Sequence, residues 1–346
     1  MTRTWKPSRR AVVAGMAATI ASRPTFAQST VAALYEAAKK EGEVNWYTSH
    51  YPAETAERVR RLFVSKYPDV KVNLLRATSG VLFQRLGQEL KSGAVLCDVV
   101  GSSDTGHYVT LKERGLLEKY VPQNVTTMLD LFQGLDPDGY YHATSVGVLT
   151  TTYSTKISAA DSPKNWPDLL DVRWKGKAAV THPGYSGYSA NWAMVMLKLY
   201  GKSYFTQLRD RDPQISRSVQ DMVTLLASGE RSVAAGNVAS TLESAARGNP
   251  IALNYATDGV IIVDSPSGIL KGTKRPNASR LLMEFLCSRE VSELMVNEYG
   301  ESLHKGVPSN AGAKPLDQVK THRMTPNEIA AQIGDIKDLW RDVFGV

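Results

Sequence analysis

Four short stretches of this chain carry side chains suited to holding a charged small molecule: Ser49-His50-Tyr51-Pro52, Thr78-Ser79-Gly80, Ser102-Ser103-Asp104 and His182-Pro183-Gly184-Tyr185-Ser186-Gly187-Tyr188-Ser189. Their hydroxyls and glycines offer O–H and N–H dipoles that can converge on an anion without any counter-charge. Ser79, Gly80, Ser103, Ser186 and Gly187 are the candidates for that role, with Thr78 beside them and the rings of Tyr185 and Tyr188 flanking the last loop. A glycine at 187 lets backbone approach a ligand closely. His50 can act as a neutral donor or as an imidazolium facing an anion, and Tyr51 and Asn237 can tune selectivity. The competing role for Ser79, Ser102 and Ser103 is plain helix capping, which their positions before helical patterns also predict. His107, His142 and His182 share no metal-ligand spacing. Covalent chemistry has little to work with: there is no Gly-x-Ser-x-Gly elbow, no phosphate-binding loop ending in Gly-Lys-Ser/Thr, no His-Glu-x-x-His and no Cys-x-x-Cys. The chain is therefore expected to bind rather than to catalyse, without a cofactor.

The loops sit where strands pass into helices. Helical spacing over Val31–Glu41 stops at Gly42, and Val44–Thr48 reads as a strand that feeds a helix over Ala53–Lys66. Val70–Leu75 and Val81–Lys91 repeat the order, and Val95–Val100 with a helix ending near Gly115 repeats it again. Three strand, loop, helix units predict a parallel sheet covered by helices, with ligands outside the carboxyl ends of the strands. A second αβ region spans Trp166 to about Asn254, with strands at Lys177–Thr181 and Ser232–Ala235 and a helix over Ala190–Tyr200. Ile251–Val263 reads as β-rich, Pro276–Tyr299 as helical, and Asn327–Val343 as a C-terminal helix.

The N-terminus predicts an address. Ser8-Arg9-Arg10 precedes a 12-residue apolar run, Ala11–Ser22, and Thr25-Phe26-Ala27 offers small residues at a cleavage site. The run is too short to span a hydrocarbon core of roughly 30 Å, and the paired arginines resemble a twin-arginine signal. Residues 1–27 hold five of the 41 Lys+Arg and no acid, so the chain after them carries 36 basic against 34 acidic residues. Such a balance gives no support for nucleic-acid binding. Cys97 and Cys287 both lie in apolar patterns and are expected to be buried, unpaired thiols.

Ala94-Val95-Leu96-Cys97-Asp98-Val99-Val100 with Leu111–Leu117, then Leu270–Ala278 and Glu284–Glu290, taken in that order, resemble the solute-binding proteins of ATP-driven importers, in the branch labelled iron(III)-binding. The resemblance implies a type II periplasmic-binding-protein fold of the α/β class: two lobes, each with its own parallel or mixed sheet, joined by two hinge strands near Ala143–Thr152 and Ile251–Val260. It implies lobe 1 over 28–145 plus 256–310, lobe 2 over 146–255, and C-terminal helices over 311–346 packed on lobe 2. The expected partners are a small anionic solute, such as a phosphonate, sugar phosphate or organic acid, and an inner-membrane permease, the chain acting as a periplasmic monomer. Ferric members of the branch hold metal with a histidine, a glutamate and an adjacent tyrosine pair. Here His50 matches the first, but Thr78-Ser79-Gly80 stands in place of the glutamate and Ala235-Gly236-Asn237-Val238 in place of the tyrosines. The alternative that survives is ferric iron on His50, Tyr51, Tyr185 and Tyr188 with an exogenous anion; an enzyme on the same fold is more remote.

Overall fold

The computed structural model describes residues 1–2, 30–310 and 312–346; the apolar run and cleavage site of the expected export signal lie outside them. Thr30 caps helix α1 (Val31–Glu41) by accepting from the Ala33 N–H, and Gly42 ends it in the left-handed conformation at φ 73°. Strands β1 (Glu43–Thr48), β2 (Lys71–Arg76) and β3 (Val99–Gly101) pair in parallel, with β1 central. Helices α2 (Ala53–Lys66), α3 (Ser79–Ser92) and α4 (Gly106–Glu113) follow them in turn. The two-residue β4 (Leu117–Glu118) comes next, and the long strand β5 (Tyr141–Ser154), buried at every position, carries the chain across the molecule.

On the far side, β6 (Ala178–Thr181) leads into α5 (Gly187–Tyr200) and α6 (Lys202–Arg209). Strand β7 (Gln214–Ser216) leads into α7 (Val219–Ser228), and β8 (Val233–Asn237) into α8 (Val238–Ala246). β6 pairs in parallel with both β7 and β8. After the short β9 (Ile251–Asn254), strand β10 (Val260–Leu270) returns antiparallel to β5 and is likewise buried throughout. Helices α9 (Pro276–Leu286) and α10 (Arg289–Asn297) complete the first half, and β11 (Thr321–Arg323) with α11 (Pro326–Phe344) ends the chain.

Two long strands with both faces covered need continuous apolar or internally hydrogen-bonded sequence, and both have it. In β5, the hydroxyls of Thr150, Thr151 and Thr152 donate to main-chain carbonyls. The largest apolar core gathers residues up to Val146 of β5, and the next begins at Leu149, so the two halves part at the middle of that strand.

Four expectations are corrected. The halves do not own separate sheets: one mixed sheet runs β2-β1-β3-β10-β5-β8-β6-β7, continuous through the two crossovers. The second crossover is Val260–Leu270, not Ile251–Val260; Ile251–Asn254 is a separate strand alongside β5, and the turn at Gly259, φ 123°, separates them. The strand expected over Val95–Val100 begins only at Val99; Val95–Asp98 is not strand, and Val95 and Leu96 are exposed. The Pro276–Tyr299 helix is broken at Cys287-Ser288, where Ser288 caps α10. The C-terminal segment holds one α-helix, α11, which puts Ile329, Ile336 and Trp340 into the second core and also packs on α4, where Gly106 lies against the Ala330 backbone. Both cysteines are free and buried.

Candidate functional site

Parallel strands on both halves aim their carboxyl ends at the space between them. The chain leaves β1 at Ser49 and His50, β2 at Arg76, and β3 at Ser103; opposite these, it enters α5 at Ser186, α7 at Ser218 and α8 at Asn237. All of these residues line one cleft. The N-termini of α2, α3, α5, α7 and α8 reach its wall, so the positive ends of five helix dipoles face the same space. Thr78 and Ser186 stand at the N-cap positions of α3 and α5, yet neither side chain makes a capping hydrogen bond.

Of the sequence candidates, His50, Tyr51, Thr78, Ser79, Ser103, Ser186, Tyr188 and Asn237 line the cleft, whereas Gly80, Tyr185 and Gly187 do not. Those three form the seam where the halves meet. Gly80 N–H donates to the Tyr185 carbonyl at 3.3 Å, and Gly187 N–H donates to Ser79 Oγ at 2.9 Å. A Cβ on Gly187 would stand 2.3 Å from the Ser103 carbonyl oxygen. The halves are thus in contact, and glycine is required for that approach. The Tyr185 ring lies between His182, 5.2 Å away, and the Arg217 guanidinium, 5.0 Å from its centroid.

Within the cleft, several side chains are committed to the protein. Asn237 caps α8, its Oδ1 accepting from Ser240 N–H at 3.0 Å. Tyr51 donates to the Thr144 carbonyl at 3.1 Å, and Tyr188, packed against Gly147, donates to the His50 carbonyl at 3.5 Å. Burial pushes both phenols up. His50 is buried with no good hydrogen-bond partner at either ring nitrogen, and desolvation holds it neutral, its pKa lowered to about 3. In the unliganded cleft the ring is therefore neutral at pH 7.

Two charged residues of the cleft that form no ion pair among the described residues went unread in the sequence. Arg76, the last residue of β2, is half-buried; its Nε donates to the Tyr51 carbonyl at 2.8 Å, and it forms no ion pair among the described residues. Burial pulls its pKa down, opposed only by Tyr188. Its signal was its place: an arginine ending a parallel strand just before a Thr-Ser-Gly loop. The other is Glu301, brought in by a turn at Tyr299, φ 63°; nothing local in the sequence marks it.

The sequence pattern of the bacterial extracellular solute-binding proteins matches residues 44–300. The chain belongs to that family. A Salmonella typhimurium protein provisionally named as a 2-aminoethylphosphonate-binding periplasmic protein is 23% identical over 326 residues, covering 90% of this chain and 88% of the relative. An uncharacterised Haemophilus influenzae protein is 25% identical over 257 residues, 71% of this chain and 73% of the relative. Among solved structures, the periplasmic binding protein AfuA of Actinobacillus pleuropneumoniae, with exogenous fructose-6-phosphate bound, superposes with a TM-score of 0.80 at 22% identity, over 88% of this chain and 99% of that one. Iron-bound HitA of Pseudomonas aeruginosa gives 0.75 at 21%, over 87% and 99%. This solute-binding protein therefore has the two-lobe periplasmic-binding fold, works in the periplasm, and serves as the substrate-binding component of an ABC importer. No helix among the described residues is long and apolar enough to cross a membrane.

Proposed function

We propose that this solute-binding protein captures a small organic anion, of the phosphonate, sugar-phosphate or carboxylate kind, and hands it unchanged to its permease. The observation that carries the reading is Arg76: a half-buried guanidinium with no acidic partner, in a cleft walled by hydroxyls and five helix N-termini. A cation in that setting has lost hydration without gaining a counter-ion, and an oxyanion restores what it lost through charge-assisted, two-pronged hydrogen bonds. Thr78, Ser79, Ser103 and Ser186 supply further donors to the same space. The names of the Salmonella relative and of AfuA, which refer to a phosphonate and a sugar phosphate, accord with this chemistry. Closing the lobes over the ligand excludes water and strengthens each of these bonds.

Ferric binding is the weaker reading. Of its four proposed ligands, Tyr185 stands outside the cleft, and Tyr51 and Tyr188 spend their hydroxyls on carbonyls while burial disfavours their phenolates. Among the described residues no three His, Cys, Asp or Glu side chains gather to hold a metal ion.

Thermal unfolding of residues 28–346 against alkyl- and aminoalkylphosphonates, sugar phosphates, carboxylates and ferric citrate tests the reading. An anion at 100 times its Kd adds about 2.7 kcal/mol of stability. Stabilisation by organic anions, with the ligand recovered intact, is the expected result. Stabilisation by ferric iron alone, with a visible tyrosinate-to-iron band, would overturn it.

A further inference from the structure

A cleft built only for an anion has no use for an acid, yet Glu301 lines this one. Its residue is 8 % exposed, its buried Oε1 has no hydrogen-bond partner, and it forms no ion pair among the described residues. The other acids of that wall are each answered by a base. Glu298 is paired with Arg58, and Glu243 with Arg247 at 2.6 Å, while Glu54 links the two arginines, to Arg58 at 2.7 Å and to Arg247 at 3.4 Å. Glu301 alone stands outside this chain of pairs. Nor does Arg76 answer it: the Arg76 Nε donates to the Tyr51 carbonyl, and no hydrogen bond or ion pair joins Arg76 to Glu301 among the described residues. The cleft thus holds a guanidinium and a carboxyl group, each without an ionic partner among the described residues and neither paired with the other.

We infer that the ligand is a zwitterion, its oxyanion held at Arg76 and the helix N-termini and its ammonium group held by the carboxylate of Glu301. The inference rests on the anion reading of the cleft and narrows it. An unpartnered buried carboxylate is disfavoured by lost hydration, and a ligand that carries its own cation recovers that cost on closure. A neutral tail brings no such recovery, so discrimination arises against every anion that lacks an amine. A metal ion is a poorer occupant, because the neighbouring carboxylates Glu298 and Glu243 are already taken by arginines.

The test is titration calorimetry of residues 28–346 with matched pairs that differ only in the amine: 2-aminoethylphosphonate against propylphosphonate, glucosamine 6-phosphate against glucose 6-phosphate, and β-alanine against butyrate. In the wild type, the amine-bearing member of the pair that binds should be at least about tenfold tighter. Glu301→Gln should abolish that preference, the amine-bearing member binding no more tightly than its amine-free partner, and Glu301→Asp should retain part of it. Anions that bind without any amine preference in the wild type, or a preference that survives in Glu301→Gln, would overturn the inference and leave the anion receptor standing. If no anion of any pair binds, both readings fall together. The wild-type ratio decides the matter even if a variant does not fold.

Discussion

Arg76 is the residue on which the anion reading stands, and it can be removed without harming the fold. Its Nε bond to the Tyr51 carbonyl is worth about 1 kcal/mol, while its burial away from any acid works against the native state. Arg76→Met, which keeps the apolar stem, is expected to weaken binding of the oxyanion by at least about a hundredfold, since a hydrogen-bonded charge pair is worth about 3 kcal/mol or more when one partner is truncated. The unliganded midpoint should stay within about 1 kcal/mol of wild type. Calorimetry and thermal unfolding on the same preparation check both halves. Residues of this sort are hard to read from sequence. Ser79, Ser103 and Ser186 were legible because a serine between a strand and a helix is a local pattern, whereas the importance of Arg76 and Glu301 depends on which acids and bases are missing around them. That accounting exists only after folding. Asn237 shows the converse: its cleft position was legible, but its side chain is spent on capping α8.

Whole elements were read more accurately than side chains. The helices at Val31–Glu41 and Ala53–Lys66 lie where periodicity puts them, because caps and apolar stripes are encoded within a turn or two. The second crossover was misplaced because Asp264-Ser265-Pro266-Ser267-Gly268 has the composition of a loop. It is a strand because long-range partners satisfy it: the ladder to β5 shifts register at Ser265/Pro266, and Arg323 clasps the Asp264 carboxylate at 2.6 and 2.7 Å. Arg323→Leu would leave that buried acid alone and is expected to cost about 3 to 5 kcal/mol, read as a fall in the denaturant midpoint. The N-terminus of α5 carries a different burden. A methyl at Gly187 collides with the Ser103 carbonyl across the seam, so Gly187→Ala should hold the halves apart and block closure. Small-angle scattering should show the ligand-induced compaction lost and affinity reduced by about tenfold or more; compaction equal to wild type would show that the seam yields.

At the scale of the whole molecule, His50 and Glu301 set opposite slopes on stability against pH. The pKa of His50 falls from 6.5 to about 3 in the fold, so the unfolded chain takes up a proton first, and stability is lost as pH drops below 6.5 toward 3. That of Glu301 rises from 4.5 to about 7, so the folded chain holds a proton longer, and stability present below pH 4.5 is lost as pH climbs through 7. Between pH 4.5 and 8 each group is worth about 3 kcal/mol, at 1.36 kcal/mol per unit, and over their shared window the two slopes nearly cancel. Single variants separate them. Relative to wild type, Glu301→Gln should gain stability from pH 4.5 to 8, and His50→Gln should gain it from pH 8 down to 4.5. Chemical denaturation of the three proteins at pH 4.5, 6 and 8 checks both directions, and parallel curves for all three would mean that neither group is held as the cleft implies. An ammonium-bearing ligand adds a further mark: by pairing with the Glu301 carboxylate it removes the cost of ionisation, so the stabilising effect of β-alanine should be larger at pH 8 than at pH 6, whereas that of butyrate, whose own charge is nearly the same at both, should show no such rise.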